Sequence, residues 1–293
     1  MNYKIIQGDC IKSMRGMDEG SVQTCITSPP YFGLRDYGNP DQIGLEASPE
    51  EFVREMVRVF REVKRVLRDD GTLWLNLGDS YASNGCYINA WLEKEHNKGK
   101  KHLHVKNHER YSDRKAVRGG EYGIKAKDLI GIPWRVAFAL QADGWYLRQD
   151  IIWSKPNPMP ESVGDRCTKA HEYIFLLSKS KNYYYDGDAI KEDSVEGGKK
   201  NKRSVWNIKA RGYKGAHFAV YPPDLILPCV LAGCPEGGTV FDPFTGSGTT
   251  AVVSLQNKRN FVGCELNPDY AALAERRIKE DVNQSLDLTT LLE

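Results

Sequence analysis

Residues 239–255 read TVFDPFTGSGTTAVVSL, and their order is strand, acidic residue, glycine turn, helix. Gly246 and Gly248 allow the backbone to turn sharply and to approach a ligand with no Cβ in the way. The helix that follows aims its free N–H groups and the positive end of its dipole at whatever sits in that turn. Gly246 to Ala251 also fits the dinucleotide pattern GxGxxA, whereas no lysine follows the glycines, which argues against a triphosphate-binding loop. Glu265, 19 residues beyond Gly246 and at the end of the next apolar run, is the discriminating partner. A carboxylate there accepts both hydroxyls of a ribose, which suits NAD and S-adenosylmethionine equally.

Outward from this stretch, seven short apolar runs bounded by turn residues predict strands. They are 3–7, 22–27, 72–77, 146–153, 173–178, 239–241 and 260–265. Between them lie helix signatures. The clearest opens at Ser48 as N-cap, with Pro49 in the first helical position and Glu51 completing a capping box. Phe52, Met56, Phe60, Val63 and Leu67 form one stripe, and Gly71 reads as its stop. Further helices are expected from Ile132–Pro133 to before Gly144, directly after Gly248, and from about Asp269 to Asp281. Strands alternating with helices predict an α/β fold whose mostly parallel sheet is covered on both faces.

The 293 residues are 40% hydrophobic, which suits a single domain covering 1–293. No stretch approaches the ~20 apolar residues of a membrane span, and MNYKIIQGDC lacks the features of a secretory signal. The seven cysteines are odd in number and contain no CxxC pair, so reduced thiols in a cytoplasmic protein are expected. Net charge is +2 but unevenly spread: residues 94–127 carry a local +7 and residues 191–215 a local +5. The two segments that break the strand–helix rhythm, 82–127 and 187–215, contain these basic runs. Both read as loops without regular structure, and a mildly acidic body with two basic loops suits a protein that grips a polyanion.

The run CITSPPYFGLRDYG (25–38) carries the chemistry. Pro29 and Pro30, directly after a buried strand, fix φ twice and remove two donors, so neighbouring carbonyls become rigid acceptors. Ser28 adds another acceptor and Tyr31 a flat face for a base. An aromatic amine is a poor nucleophile because its lone pair is delocalised into the ring. Accepting both N–H bonds, from Ser28 and a proline carbonyl, would localise that pair on nitrogen for attack on a methyl sulfonium, and holding the reactants together supplies much of the remaining rate.

With these residues the chain resembles the amino-group DNA methyltransferases that modify N4 of cytosine or N6 of adenine. Their motif [S/N/D]-P-P-[Y/F] is matched by the catalytic candidates Ser28, Pro29, Pro30 and Tyr31. Their cofactor motif D-P-F-x-G-S-G-T-T is matched by Asp242 to Thr250, which makes Asp242, Pro243, Phe244, Gly246, Ser247, Gly248 and Thr249 cofactor-binding candidates together with Glu265. In QGDC the resemblance assigns Asp9 to the cofactor's adenine, and in HFAVYPPDLI it assigns Phe218, with Pro222 as a second candidate, to its methionine end. It implies a circularly permuted, Rossmann-like, S-adenosylmethionine-dependent sheet of seven strands, one of them antiparallel, with basic DNA-binding insertions. It further implies double-stranded DNA as partner with a base flipped out of the duplex, no membrane, a bacterial or phage-infected cell, and a place in restriction-modification. The family usually puts target recognition where 187–215 lies, with 82–127 as a basic insertion able to share that role. Ser at position 28 favours cytosine N4 over adenine N6. The oligomeric state, a homodimer included, stays open.

Other candidates weigh less. His96, His102, His104 and His108 match no ligand spacing and stand among lysines, so no metal is expected. Cys229 after Pro228 has the look of a C5-methylation nucleophile but lies in the apolar run LILPCVLAG, where a core cysteine is the better reading. Asp36 and Tyr37 are equally suited to the base pocket and to a structural role. Trp206, Tyr213 and Tyr183–Tyr185 could stack on bases or nucleotides, yet aromatic clusters more often bury themselves. A nicotinamide-dependent oxidoreductase rests on GxGxxA alone. A binding protein with a degenerate site has no feature in its favour.

Overall fold

The computed structural model describes residues 1–35, 38–39, 41–82, 124–211 and 220–290, with side chains as far as 281 in the last helix. The elements run β1 (Tyr3–Gln7), α1 (Cys10–Arg15), β2 (Val22–Thr27), α2 (Pro49–Val66), β3 (Leu67–Leu77), α3 (Ile132–Ala142), β4 (Tyr146–Ser154) and β5 (His171–Ser178). After a short 3-10 turn come β6 (Glu192–Asp193), β7 (Lys199–Lys200), β8 (Val205–Asn207), α4 (Pro223–Gly233), β9 (Thr239–Asp242), α5 (Thr249–Gln256), β10 (Asn260–Glu265) and α6 (Pro268–Thr290).

The main sheet has the order β1-β10-β9-β2-β3-β5-β4-β8, and every neighbouring pair is parallel except the two that β5 makes. Alternating side chains feed two cores. Leu73, Leu75, Leu77, Phe175 and Phe241 pack with α1, α2 and α3, while Trp74, Ile174, Leu176 and Val240 pack with α4, α5 and α6. This is the two-faced burial that a mostly parallel sheet demands. Ser48 caps α2 as its sequence requires, accepting from Glu51 N at 3.1 Å, and Glu51 reaches back to Ala47 N at 3.1 Å.

The sheet has eight strands where seven were expected. The extra one, β8, lies in 187–215, which also holds the β6–β7 hairpin, so that segment is not a structureless loop. A three-residue strand leaves too short an alternation to read in sequence. Gly71 lies inside β3, because Leu67 passes straight from the helix into extended backbone. α6 continues to Thr290 rather than stopping at Asp281. Two helices went unread. α1 has only six residues, and α4 is apolar all round with Pro228 inside it, so neither shows a helical stripe.

From β2 the chain proceeds to β3 on one side, and from β9 to β10 on the other. The crevice between β2 and β9, outside their carboxyl ends, is therefore the topological switch point at which such sheets bind ligands. α4 approaches β2 and β3 closely because Gly233 has no side chain. A Cβ there would lie 2.6 Å from Trp74 Nε1 and 2.9 Å from Thr24 Oγ1. Gly233→Ala should destabilise the fold by about 1–3 kcal/mol, read as a lower urea midpoint at unchanged slope.

Candidate active site

Asp242 closes β9, is fully buried, and has both carboxylate oxygens committed. Oδ1 accepts from Thr27 Oγ1 at 2.6 Å and from Phe244 N at 3.0 Å. Oδ2 accepts from Tyr221 Oη at 3.0 Å and from Thr250 Oγ1 at 2.9 Å. Burial pushes this carboxyl up from the ordinary carboxylate value, against the pull of those donors. One side chain thus joins the strand carrying Ser28, the glycine loop, α5 and the approach to α4.

The glycine loop is held from behind as well. Gly246 and Gly248 both take positive φ, +53° and +79°. The buried Arg277 on α6 donates to Thr249 Oγ1 at 2.9 Å and to Ser247 O and Oγ at 3.2 Å. No side chain caps α5, so its first turn keeps its backbone donors for the loop side. Glu265, at the end of β10, accepts from Gly246 N at 2.7 Å through Oε2 and from Asn267 N at 2.9 Å through Oε1. Burial raises its pKa. Gln7 pairs with Glu265 across the β1–β10 ladder, which brings Asp9, the N-cap of α1, to the same rim.

On the far side of the switch point Tyr31 is fixed at both ends of its ring. Its hydroxyl donates to Glu172 Oε2 at 2.8 Å and lies 3.2 Å from Asn76 Oδ1. Its ring edge rests on Gly78, where a Cβ would lie 2.6 Å away. Glu172 also contacts the ammonium of Lys155, which sits 4.1 Å from the centroid of the Trp153 ring.

A single cleft of about 520 Å³ joins the two halves. Of the residues singled out in the sequence, Asp9, Ser28, Pro29, Pro30, Tyr31, Pro243, Phe244, Gly246, Ser247, Thr249 and Glu265 line it. Asp242 and Gly248 stand behind the wall: the first is the junction just described, the second the αL residue that opens α5. Phe218, Asp36, Tyr37, Tyr213 and the four histidines lie outside the described residues. Trp206 is buried in the core, its Nε1 donating to Arg203 O at 2.8 Å. Cys229 is buried on α4, where its thiol pKa is pushed far up.

Sequence reading passed over Asn76, Trp153, Lys155, Glu172, Tyr221 and Tyr270, all of which line the cleft. Trp153-Ser154-Lys155 at a strand end and the polar Asn76 in an apolar strand were available signals. Glu172 was not legible, because it opens a strand. Only the antiparallel course of β5 puts that opening at the edge where the other strands end.

Comparison with known proteins settles the family, since the N6/N4 DNA methylase family model matches residues 22–276. The chain belongs to the N6/N4 DNA methylase family. Type II methyltransferase M.SmaI of Serratia marcescens is 52% identical over 283 residues, 94% of this chain and 90% of its own. Type II methyltransferase M.Cfr9I of Citrobacter freundii is 50% identical over 281 residues, 95% of this chain and 89% of its own. Among solved structures, PvuII DNA methyltransferase (cytosine-N4-specific) matches with a TM-score of 0.66 at 18% identity, covering 98% of this chain and 93% of that one. TTHA0409 of Thermus thermophilus, complexed with S-adenosyl-L-methionine, matches with a TM-score of 0.62 at 22% identity and 96% of both chains. This DNA methylase is a methyltransferase, which displaces the nicotinamide reading of its glycine loop. Among the described residues no helix is long and apolar enough to cross a membrane.

Asp242→Asn in this methylase should cost about 2 kcal/mol or more of stability, because an amide NH2 would face two donors that now share Oδ1 or Oδ2. Thr27→Val removes one of the four bonds and should cost about 1.5 kcal/mol. Chemical denaturation of both variants checks the ranking; equal losses would deny Asp242 its junction role.

Proposed function

We propose that this methylase transfers a methyl group from S-adenosylmethionine to N4 of a cytosine swung out of duplex DNA. The observation that carries the reading is the shared cleft, with the Glu265 and glycine-loop half facing the Ser28–Tyr31 half. The donor set fits the cofactor. Each Glu265 oxygen accepts one backbone N–H and keeps lone-pair capacity for a ribose hydroxyl. Asp9 stands at the adenine side, and the uncapped N-terminus of α5 with Pro243, Phe244, Ser247 and Thr249 forms the remaining wall. When bound, S-adenosylmethionine supplies a methyl group on a positively charged sulfonium.

Ser28 and a proline carbonyl accept the two amine hydrogens of the base and so localise its lone pair, with Pro29 and Pro30 keeping the acceptors rigid. Tyr31, pinned through its hydroxyl, forms the wall of the base pocket. Residues 187–215 are assigned to target recognition: β8 lies on the sheet edge beside β4, and Lys200, Lys202 and Arg203 line an open groove along it. Cations there suit phosphate contacts, which give affinity without sequence choice. Serine at position 28 supports cytosine over adenine.

Incubation with unmethylated DNA and S-adenosylmethionine, followed by mass spectrometry of the nucleosides, should yield N4-methylcytosine. N6-methyladenine would overturn the choice of base, and no methylated base would overturn the activity. Because burial raises the Glu265 pKa, a proton competes there with the ribose. Cofactor affinity should therefore fall as pH drops through a value above that of an ordinary glutamate. Calorimetric titration across pH checks this, and Glu265→Gln should weaken binding and flatten the dependence.

A further inference from the structure

Beneath the Ser28–Tyr31 turn runs a chain of polar groups with one direction. Ser28 Oγ donates to Tyr31 Oη at 3.5 Å, Tyr31 Oη donates to Glu172 Oε2 at 2.8 Å, and Glu172 Oε1 meets the Lys155 ammonium. Asn76 braces the middle, its Nδ2 donating to Glu172 Oε2 at 3.3 Å and to Tyr173 O at 3.0 Å. The Lys155 and Glu172 side chains are only 18% and 17% exposed. An ion pair this shielded is a weak device for stability, since desolvating both charges offsets most of their attraction. Its place under the catalytic turn calls for another reason.

We propose that Glu172 receives the proton released by methyl transfer, through Tyr31 and Ser28, and that Lys155 and Asn76 hold its carboxylate in line with the turn. The inference rests on the amine methylation proposed above. As the N–CH3 bond forms and the S–CH3 bond breaks, the positive charge passes from sulfur to the amine nitrogen. Loss of one N–H then restores a neutral amine, with the electron pair of that bond staying on nitrogen. The proton goes to Ser28 Oγ, the Ser28 hydrogen to Tyr31 Oη and the Tyr31 hydrogen to Glu172 Oε2, leaving a neutral carboxylic acid that later exchanges with water. An alkylated aromatic ammonium is strongly acidic, so a carboxylate is base enough to receive its proton. With Tyr31 Oη donating across its shorter contact, to Glu172, and Ser28 Oγ donating to Tyr31 Oη, the Ser28 oxygen is left able to accept from the amine. The 3.5 Å step is the one that must shorten when the base enters, as such bonds commonly do on substrate binding.

The charged and titratable groups facing Glu172 are Lys155 from β4, Lys169 from the segment before β5, and Tyr31. His171, next along β5, is engaged with Tyr173 Oη at 3.4 Å. The test is single-turnover methylation of DNA at saturating S-adenosylmethionine, over about pH 5 to 9, with calorimetric cofactor binding as control. Glu172→Gln keeps the shape and an oxygen for Tyr31. It should slow transfer by about 100-fold with cofactor affinity unchanged, and abolish the acidic limb of the pH–rate profile. Combining it with Tyr31→Phe should be no slower than the slower single variant, as members of one relay are not additive. A Glu172→Gln enzyme that works near the wild-type rate with its limb intact overturns the proposal. A wild-type enzyme that methylates nothing fails the amine-methylation reading itself, whereas active wild type with indifferent variants fails only the relay.

Discussion

The site depends on one buried carboxylate. Strands β2 and β9 touch through only two backbone register pairs, Thr24 with Val240 and Cys25 with Phe241, and beyond them the two strands diverge into the Ser28–Tyr31 turn and the glycine loop. Asp242 spans that divergence. It carries the short bond to Thr27, the residue immediately before Ser28, and on its other oxygen gathers α5 and the segment leading to α4. A low-dielectric surrounding strengthens each of these bonds and makes the loss of any one expensive, so the junction behaves as a rigid hub. The relative placement of the two halves of the cleft is thereby set by hydrogen bonds to one residue.

Around that hub the cleft follows from topology. Parallel strands end together at one edge of the sheet, and the reversal of strand order between β2 and β9 leaves a crevice that no crossover helix covers. The single antiparallel strand adds what parallel strands alone would not supply. β5 enters the sheet at that same edge, so a glutamate at a strand beginning stands beside residues at strand endings, with Trp153 opposite Glu172 in the ladder.

The sequence made most of this legible where a local pattern carried the information. All seven strands read from apolar runs are present, and β1, β2 and β10 have the bounds expected of them. The Ser48 cap, the glycine loop and the strand-end Glu265 stand where spacing put them, because each depends on neighbours within a turn or two. What escaped was non-local. β8 is defined by its pairing with β4 rather than by its own three residues, and α4 hides its period because it is apolar on every side. Asp242 reads from its motif as a ligand-binding acid, yet its carboxylate is wholly engaged within the protein. Only the long-range partners Thr27 and Tyr221 reveal that, and no spacing rule contains them.

The pairing of β1 with β10 reaches far along the chain: Asn2 N donates to Asn260 Oδ1, 258 residues away. Asp9 and Glu265 become neighbours only through that ladder, and the glycine loop is braced by Arg277, later still. Closing so long a loop is slow and comes late in folding. The half of the cleft lined by Asp9 and Glu265 is therefore completed only by contacts that span most of these 293 residues.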